Sequence, residues 1–156
     1  MILISELNSL HVVHVKNIQL AEEQIKFAGI AEDFLNDKSE TMHLYVIKLN
    51  QLIVGYFKID IAYSSQYEFC PEDVIGLRSF VIDKRQQGKG IGTKAVEALL
   101  LYVKEVYGNY SAIYLTVNCQ NPGAKKCYEK AGFENVDSKY LGGAAGPQYI
   151  MYKNIK

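Results

Sequence analysis

Gln87-Gly88-Lys89-Gly90-Ile91-Gly92 places three glycines at the point where a long amphipathic helix begins. Glycine lets the backbone turn tightly and leaves N–H groups open to a ligand. First-turn amides of a helix have no intrahelical partner, and the helix dipole adds partial positive charge there. Such a junction suits a phosphate or diphosphate. Lys84, Arg85, Lys89 and Lys94 add formal positive charge around it. Two nucleotide loops fail on spacing. A Walker loop needs GxxxxGK[ST], but Asp83 stands at the first glycine position and Gly90 follows Lys89. A dinucleotide fingerprint counted from Gly88 needs glycine at Thr93, and it belongs after the first strand of a βαβ unit rather than about the fourth.

A second chemical candidate is Tyr128. Asn121 is a good N-cap, Pro122 fits the first helical position, and Ala124, Cys127, Tyr128 and Ala131 recur on one apolar face before Gly132 ends the helix. A phenol titrating near 10 can give a proton to a leaving group, and a core tyrosine would occupy the same face. Asp60, Glu68, Glu72 and Asp73 lie between Lys58 and Arg78 with no base among them. They are candidates for taking a proton from an attacking amine, or for a charged surface loop. Cys119 and Cys127 are poor nucleophile candidates, having no histidine near in sequence. His11-Val-Val-His14 reads as strand, where residues three apart face opposite sides, so no shared metal is expected.

The elements that must position these residues follow from periodicity. Gln19 to Leu35 reads as one helix. Leu44–Leu49 and Leu52–Ala62 form a hairpin about Asn50-Gln51, and Tyr63–Asp73 is a loop. Val74–Asp83 is a strand, Ile91–Tyr107 a helix closed by Gly108-Asn109, and Ala112–Val117 a central strand because it does not alternate. Phe133–Tyr140 and Gln148–Asn154 are strands around a Gly-rich loop. The order describes an α/β chain with a mixed sheet.

Composition narrows the class. The chain has 156 residues, 17 Lys+Arg and 17 Asp+Glu, which suits one domain and argues against a nucleic-acid binder. Its longest apolar run outside glycine, Ala98–Val103, is far short of the roughly 20 residues of a membrane span, so no membrane partner is expected. Cys70, Cys119 and Cys127 read as free thiols of a cytoplasmic protein. Residues 1–78 hold 11 acids and 6 bases, a balance of −5, and residues 79–156 hold 6 acids and 11 bases, a balance of +5. Two partners of opposite sign are implied.

Residues 80–93 resemble motif A of the GNAT N-acetyltransferases, [RQ]-x-x-G-x-[GA] after a strand, filled here by Gln87, Gly90 and Gly92. Asn121, Ala124, Tyr128, Gly132 and Phe133 match the second motif, N-x-x-A-x-x-x-Y-x-x-x-G-F, position for position. The resemblance implies a mixed, mostly antiparallel sheet with a central splayed parallel strand pair and flanking helices. It implies acetyl-CoA as co-substrate: pantetheine beside Phe80, Val81 and Ile82, pyrophosphate on the amides of Gln87, Gly88, Lys89, Gly90, Ile91, Gly92 and Thr93, with Asn121 and Lys126 near its lower arm. Tyr128 would be the general acid, and Glu68, Glu72 or Asp73 the route for the amine's proton. Homodimers are common in such a family. A noncatalytic acyl-CoA sensor is the other class that keeps such a loop.

The acceptor reading rests on charge. The acidic half should face it, and Asp60, Tyr63, Tyr67 and Glu68, with Tyr45 on the neighbouring strand, suit a flexible cation. Leu77–Asp83 and Tyr140–Gln148 also resemble bacterial spermine/spermidine acetyltransferases. The expected acceptor is a small polycationic amine, polyamine first and aminoglycoside second, with protein or amino-acid amines as the alternative.

Overall fold

A computed structural model describes residues 1–156. Seven strands form one sheet, β1 (Ile2–Glu6), β2 (Met42–Leu49), β3 (Leu52–Asp60), β4 (Val74–Ile82), β5 (Ala112–Asn118), β6 (Glu134–Tyr140) and β7 (Gln148–Asn154), in the order β1-β2-β3-β4-β5-β7-β6. Every neighbouring pair is antiparallel except β4 and β5, which run parallel at the centre. This is the α/β architecture expected from the chain order, and β5 sits centrally, as its unbroken apolar run requires. Asn50 and Gln51 both take positive φ, 48° and 77°, the geometry of a two-residue hairpin turn.

The helices are α1 (Val12–Lys16), α2 (Glu22–Ala28), α3 (Ala31–Leu35), α4 (Ile91–Val106) and α5 (Pro122–Lys130). Two expectations need correction. The single helix over Gln19–Leu35 is two, because Gly29 adopts φ of 79° after α2 and the Asp33 carboxylate accepts the Ile30 amide to restart the chain as α3. The His11–His14 strand is instead a 3₁₀ turn, Ser9–His11, running into α1. Asn8 caps it: its side chain accepts the Leu10 amide, and its own N–H donates to His11 Nδ1 at 3.1 Å. That ring nitrogen is an acceptor, and burial keeps the imidazole pKa below its usual value.

Alternation along the strands sends two sets of side chains to two faces. Tyr45, Ile47, Phe57, Ile75, Leu77, Ile113, Leu115 and Met151 pack with α4 and α5 in the main core. Leu44, Val46, Tyr56 and Val81 meet Val15 and Phe34 on the other face, with Tyr63, Val74, Ala112, Tyr114 and Ile150 further along it. Beyond Leu77 the alternation slips. Tyr56 pairs with Val81 but Lys58 with Arg78, and Ser79 takes φ of 52°. This bulge bends β4, as an extra residue in one strand must. β4 and β5 pair only over Val74–Gly76 and Ala112–Tyr114, then part.

Candidate active site

Where β4 and β5 separate, the sheet opens into a cleft of about 680 Å³ whose walls come from β4, β5, α2, α5, the loop before α4 and the loop leading into β7. The loop before α4 supplies an end whose geometry suits an anion. Gly88 and Gly90 hold φ of 78° and 77°, and nothing lies within 4 Å of where a side chain would project. Gly90 is the N-cap of α4, and no side chain caps the helix. The first-turn amides are therefore left for a ligand. Gly92 has another use: a Cβ there would meet Cys127 Sγ at 3.0 Å, so this glycine lets α4 approach α5 closely. Burial pushes the Cys127 thiol pKa up, the condition of a packed thiol rather than a nucleophile.

The loop's basic residues are not the ones in the cleft. Asp83 is bound by the Arg85 side chain, which holds its carboxyl below the usual range, and it also accepts the Gln19 amide. Arg85 is thereby engaged away from the opening, and Lys84, Lys89 and Lys94 do not line it either. The cations at the walls are Lys26, Lys126 and Lys130, and the one acid there is Glu23. Sequence does not single out Lys26, because α2 is brought to the cleft only by tertiary packing, and Lys130 enters at the last residue of α5.

Phe80, Ile82, Gln87, Gly88 and Gly90 line the cleft, as do Gly92, Thr93, Asn121 and Lys126. Three expected residues do not. Val81 is fully buried on the opposite sheet face, Ile91 belongs to the main core, and Lys89 is exposed on the loop. The Ile82 carbonyl already accepts from Gln24 Nε2 at 2.7 Å and Gln87 Nε2 at 3.1 Å. A ligand amide seated along β4 must share or displace those bonds. Asn121 spends its side chain on the Ala124 amide, as a cap.

Tyr128 reaches the cleft from α5, its ring held edge-on between Phe80 at 5.9 Å and Phe133 at 5.6 Å. The residue is 8% exposed. Its hydroxyl bonds to no protein group, and the one buried, unpartnered side-chain polar atom is the Tyr56 hydroxyl, so the Tyr128 hydroxyl keeps an open face. Burial raises the phenol pKa above its usual value, with Cys127 adding to it, which keeps the group protonated.

A second cavity of about 350 Å³ continues from the first, and Phe27, Ser79, Phe80, Thr116, Tyr128 and Gln148 border both. Its remaining wall holds Tyr63 and Tyr67 with three charged groups: Asp37, Lys58 and Arg78. Lys58 is paired with Asp37, and Arg78 Nε donates to Asp60 at 2.9 Å. Glu68, Glu72 and Asp73 lie in neither cavity. All three are exposed, and the Asp73 carbonyl accepts the Ser111 amide at the end where β4 and β5 are still paired. Tyr45 is in the main core, its hydroxyl bonded to that of Tyr107, so it faces no acceptor.

The model of the acetyltransferase (GNAT) family matches residues 12–133. A spermine/spermidine N(1)-acetyltransferase of Bacillus subtilis is 26% identical over 127 residues, covering 77% of this chain and 79% of that protein. An aminoglycoside N(6')-acetyltransferase type 1 of Klebsiella pneumoniae is 31% identical over 121 residues, covering 72% of this chain and 59% of its own length. Among solved structures, an aminoglycoside acetyltransferase in complex with coenzyme A superposes with a TM-score of 0.82 at 23% identity, covering 99% of this chain and 95% of that one. A spermidine N-acetyltransferase from Vibrio cholerae in complex with CoA and spermine gives 0.70 at 18% identity, covering 98% and 95%.

Proposed function

The chain belongs to the GNAT acetyltransferase family, and we propose that it moves an acetyl group from acetyl-CoA directly to a primary amine. The observation that carries this reading is the place of Tyr128: its open hydroxyl borders two joined cavities, one ending in an uncapped helix N-terminus and one walled by aromatic and charged groups.

The larger cleft takes the co-substrate. Its pyrophosphate rests on the amides of the Gly88–Thr93 turn, with Lys126 and Lys130 nearby, where amides and dipole favour an anion. Pantetheine runs along the edge of β4 that the bulge frees from β5, a form of strand addition. The amine enters from the smaller cavity and attacks the thioester carbonyl carbon. As the C–N bond forms and the C–S bond breaks, Tyr128 gives its proton to the departing sulfur. A raised phenol pKa suits an acid that must stay protonated at the working pH. The amine needs its lone pair, and an alkyl ammonium titrates near 10.4. Asp37 is the one carboxylate lining the smaller cavity and it is paired with Lys58, so the amine's proton leaves through solvent.

The acceptor class is a separate matter. The names of the relatives support a polyamine or an aminoglycoside, and these head the panel to be tried. Thiol release from acetyl-CoA, measured against spermidine, an aminoglycoside and amino acids, tests the transfer itself. Amine-dependent release is the expected result. Tight acetyl-CoA binding with no release on any amine would replace the enzyme with a noncatalytic acyl-CoA-binding module.

A further inference from the structure

We infer that the acceptor carries a carboxylate alongside its amine, and that Arg78 and Lys58 are the groups that select it. This rests on the reading of the smaller cavity as the acceptor chamber. Two carboxylates approach that chamber, and each is already answered by a cation of the chain: Asp37 by Lys58, and Asp60 by Arg78. Asp60 is 1% exposed and sits behind the guanidinium. No unpaired carboxylate is left for a substrate ammonium.

The place that a polycation would take is filled. The Arg78 guanidinium lies over the ring of Tyr63 at 4.8 Å and that of Tyr67 at 5.3 Å. It is the cation that two tyrosines and an aspartate were expected to bind. The seat is built for it. A Cβ at Gly76 would fall 1.9 Å from Tyr63 Cδ1, so glycine there makes room for the tyrosine ring beneath Arg78.

The bookkeeping of donors points to an anion. A guanidinium has five N–H donors. Arg78 uses three, to Asp60, to the Tyr67 hydroxyl at 3.2 Å and to Gln66 Oε1 at 2.9 Å. Two remain on a side chain that lines the chamber. Lys58 uses one of three, on Asp37. Burial disfavours the Arg78 charge, and its hydrogen bonds to Tyr67 and Asp60 outweigh that, so it stays a cation. With one N–H left on each terminal nitrogen, the guanidinium has donors for a carboxylate, and a second ammonium beside it would be repelled.

The test compares kcat/KM for amino acids, for their own carboxamides and for spermidine, with acetyl-CoA affinity read on the same preparation. The wild type should favour the acids over the amides by at least tenfold. Arg78→Gln could expose Asp60 unpaired, so Arg78→Gln with Asp60→Asn is made beside it, and thermal melting identifies the folded variants. In the folded variant the acid-over-amide preference should collapse toward unity while KM for the acid rises. Lys58→Met should reduce the preference less, since Asp37 competes for that ammonium. Spermidine or the amides outperforming every acid would overturn the inference and leave acetyl transfer standing, as would a preference that survives the Arg78 change. Release with no amine that carries a carboxylate also overturns it. A wild type that does not bind acetyl-CoA would bring down the reading of both cavities.

Discussion

In the larger cleft the surface offered to a ligand is main chain: two glycines at positive φ, an uncapped helix N-terminus and a strand edge left unpaired where β4 parts from β5. In the smaller cavity it is side chain, charged groups that neutralise one another over a tyrosine platform. The first arrangement presents donors that no substitution outside the turn can remove, and it suits a ligand common to a whole family. The second depends on residues from α3 onward, on β3, on β4 and in the Tyr63–Tyr67 segment, each replaceable alone. Under the proposed function, acceptor choice can therefore change without touching the larger cleft.

Four changes probe that division, beginning with the largest effect. The pH profile comes first. In the proposed transfer the acceptor ammonium loses its proton while Tyr128 keeps one, and burial raises the Tyr128 pKa above its usual value. On a lysine-like amine kcat/KM should then climb about tenfold per unit from pH 7 to 9, and the descending limb should lie above pH 10. A fall below pH 9 would remove Tyr128 as the acid. Next is Gly76→Ala, whose new Cβ collides with the buried Tyr63 ring. Overpacking of this kind costs about 1–3 kcal/mol. Denaturant unfolding should show that loss, acceptor KM should rise, and acetyl-CoA affinity in the folded fraction should hold.

Gly90→Val is the complementary change. A β-branched residue resists φ of 77° and crowds the open turn. Acetyl-CoA affinity, by calorimetry, should drop at least tenfold, about 1.4 kcal/mol, with the acceptor preference intact. An unchanged affinity in a folded variant would take the loop out of the site. The smallest effect belongs to Lys126→Ala. This side chain lines an open cleft, so its loss should weaken acetyl-CoA binding by roughly twofold to fivefold, and less at high salt.

How much of this could be read from the chain alone depends on how local the determinant is. The turn at Gly88–Gly92, the Asn121-Pro122 cap, Gly132 and the Asn50-Gln51 hairpin act over a few residues, and each stands where its pattern put it. The break at Gly29 was also local, but periodicity across Gln19–Leu35 masked a glycine at positive φ. The acceptor chamber was not legible. Its tyrosines and Asp60 carried the right chemistry, but only the folded sheet shows Arg78 seated among them. Glu68, Glu72 and Asp73 precede β4 in sequence, yet a strand is long: Asp73 stands at its paired end, and Glu68 and Glu72 are exposed outside both cavities. Gly76 was the available clue, since a glycine inside an apolar strand marks a close approach.

In the proposed transfer the acid is the hydroxyl that borders both cavities, and Tyr128→Phe removes that atom alone. Thiol release and acetyl-CoA binding measured together on the folded variant test it directly. The predicted result is a kcat lower by about 10²-fold with acetyl-CoA affinity unchanged. A near-normal kcat would contradict it and return Tyr128 to the hydrophobic core.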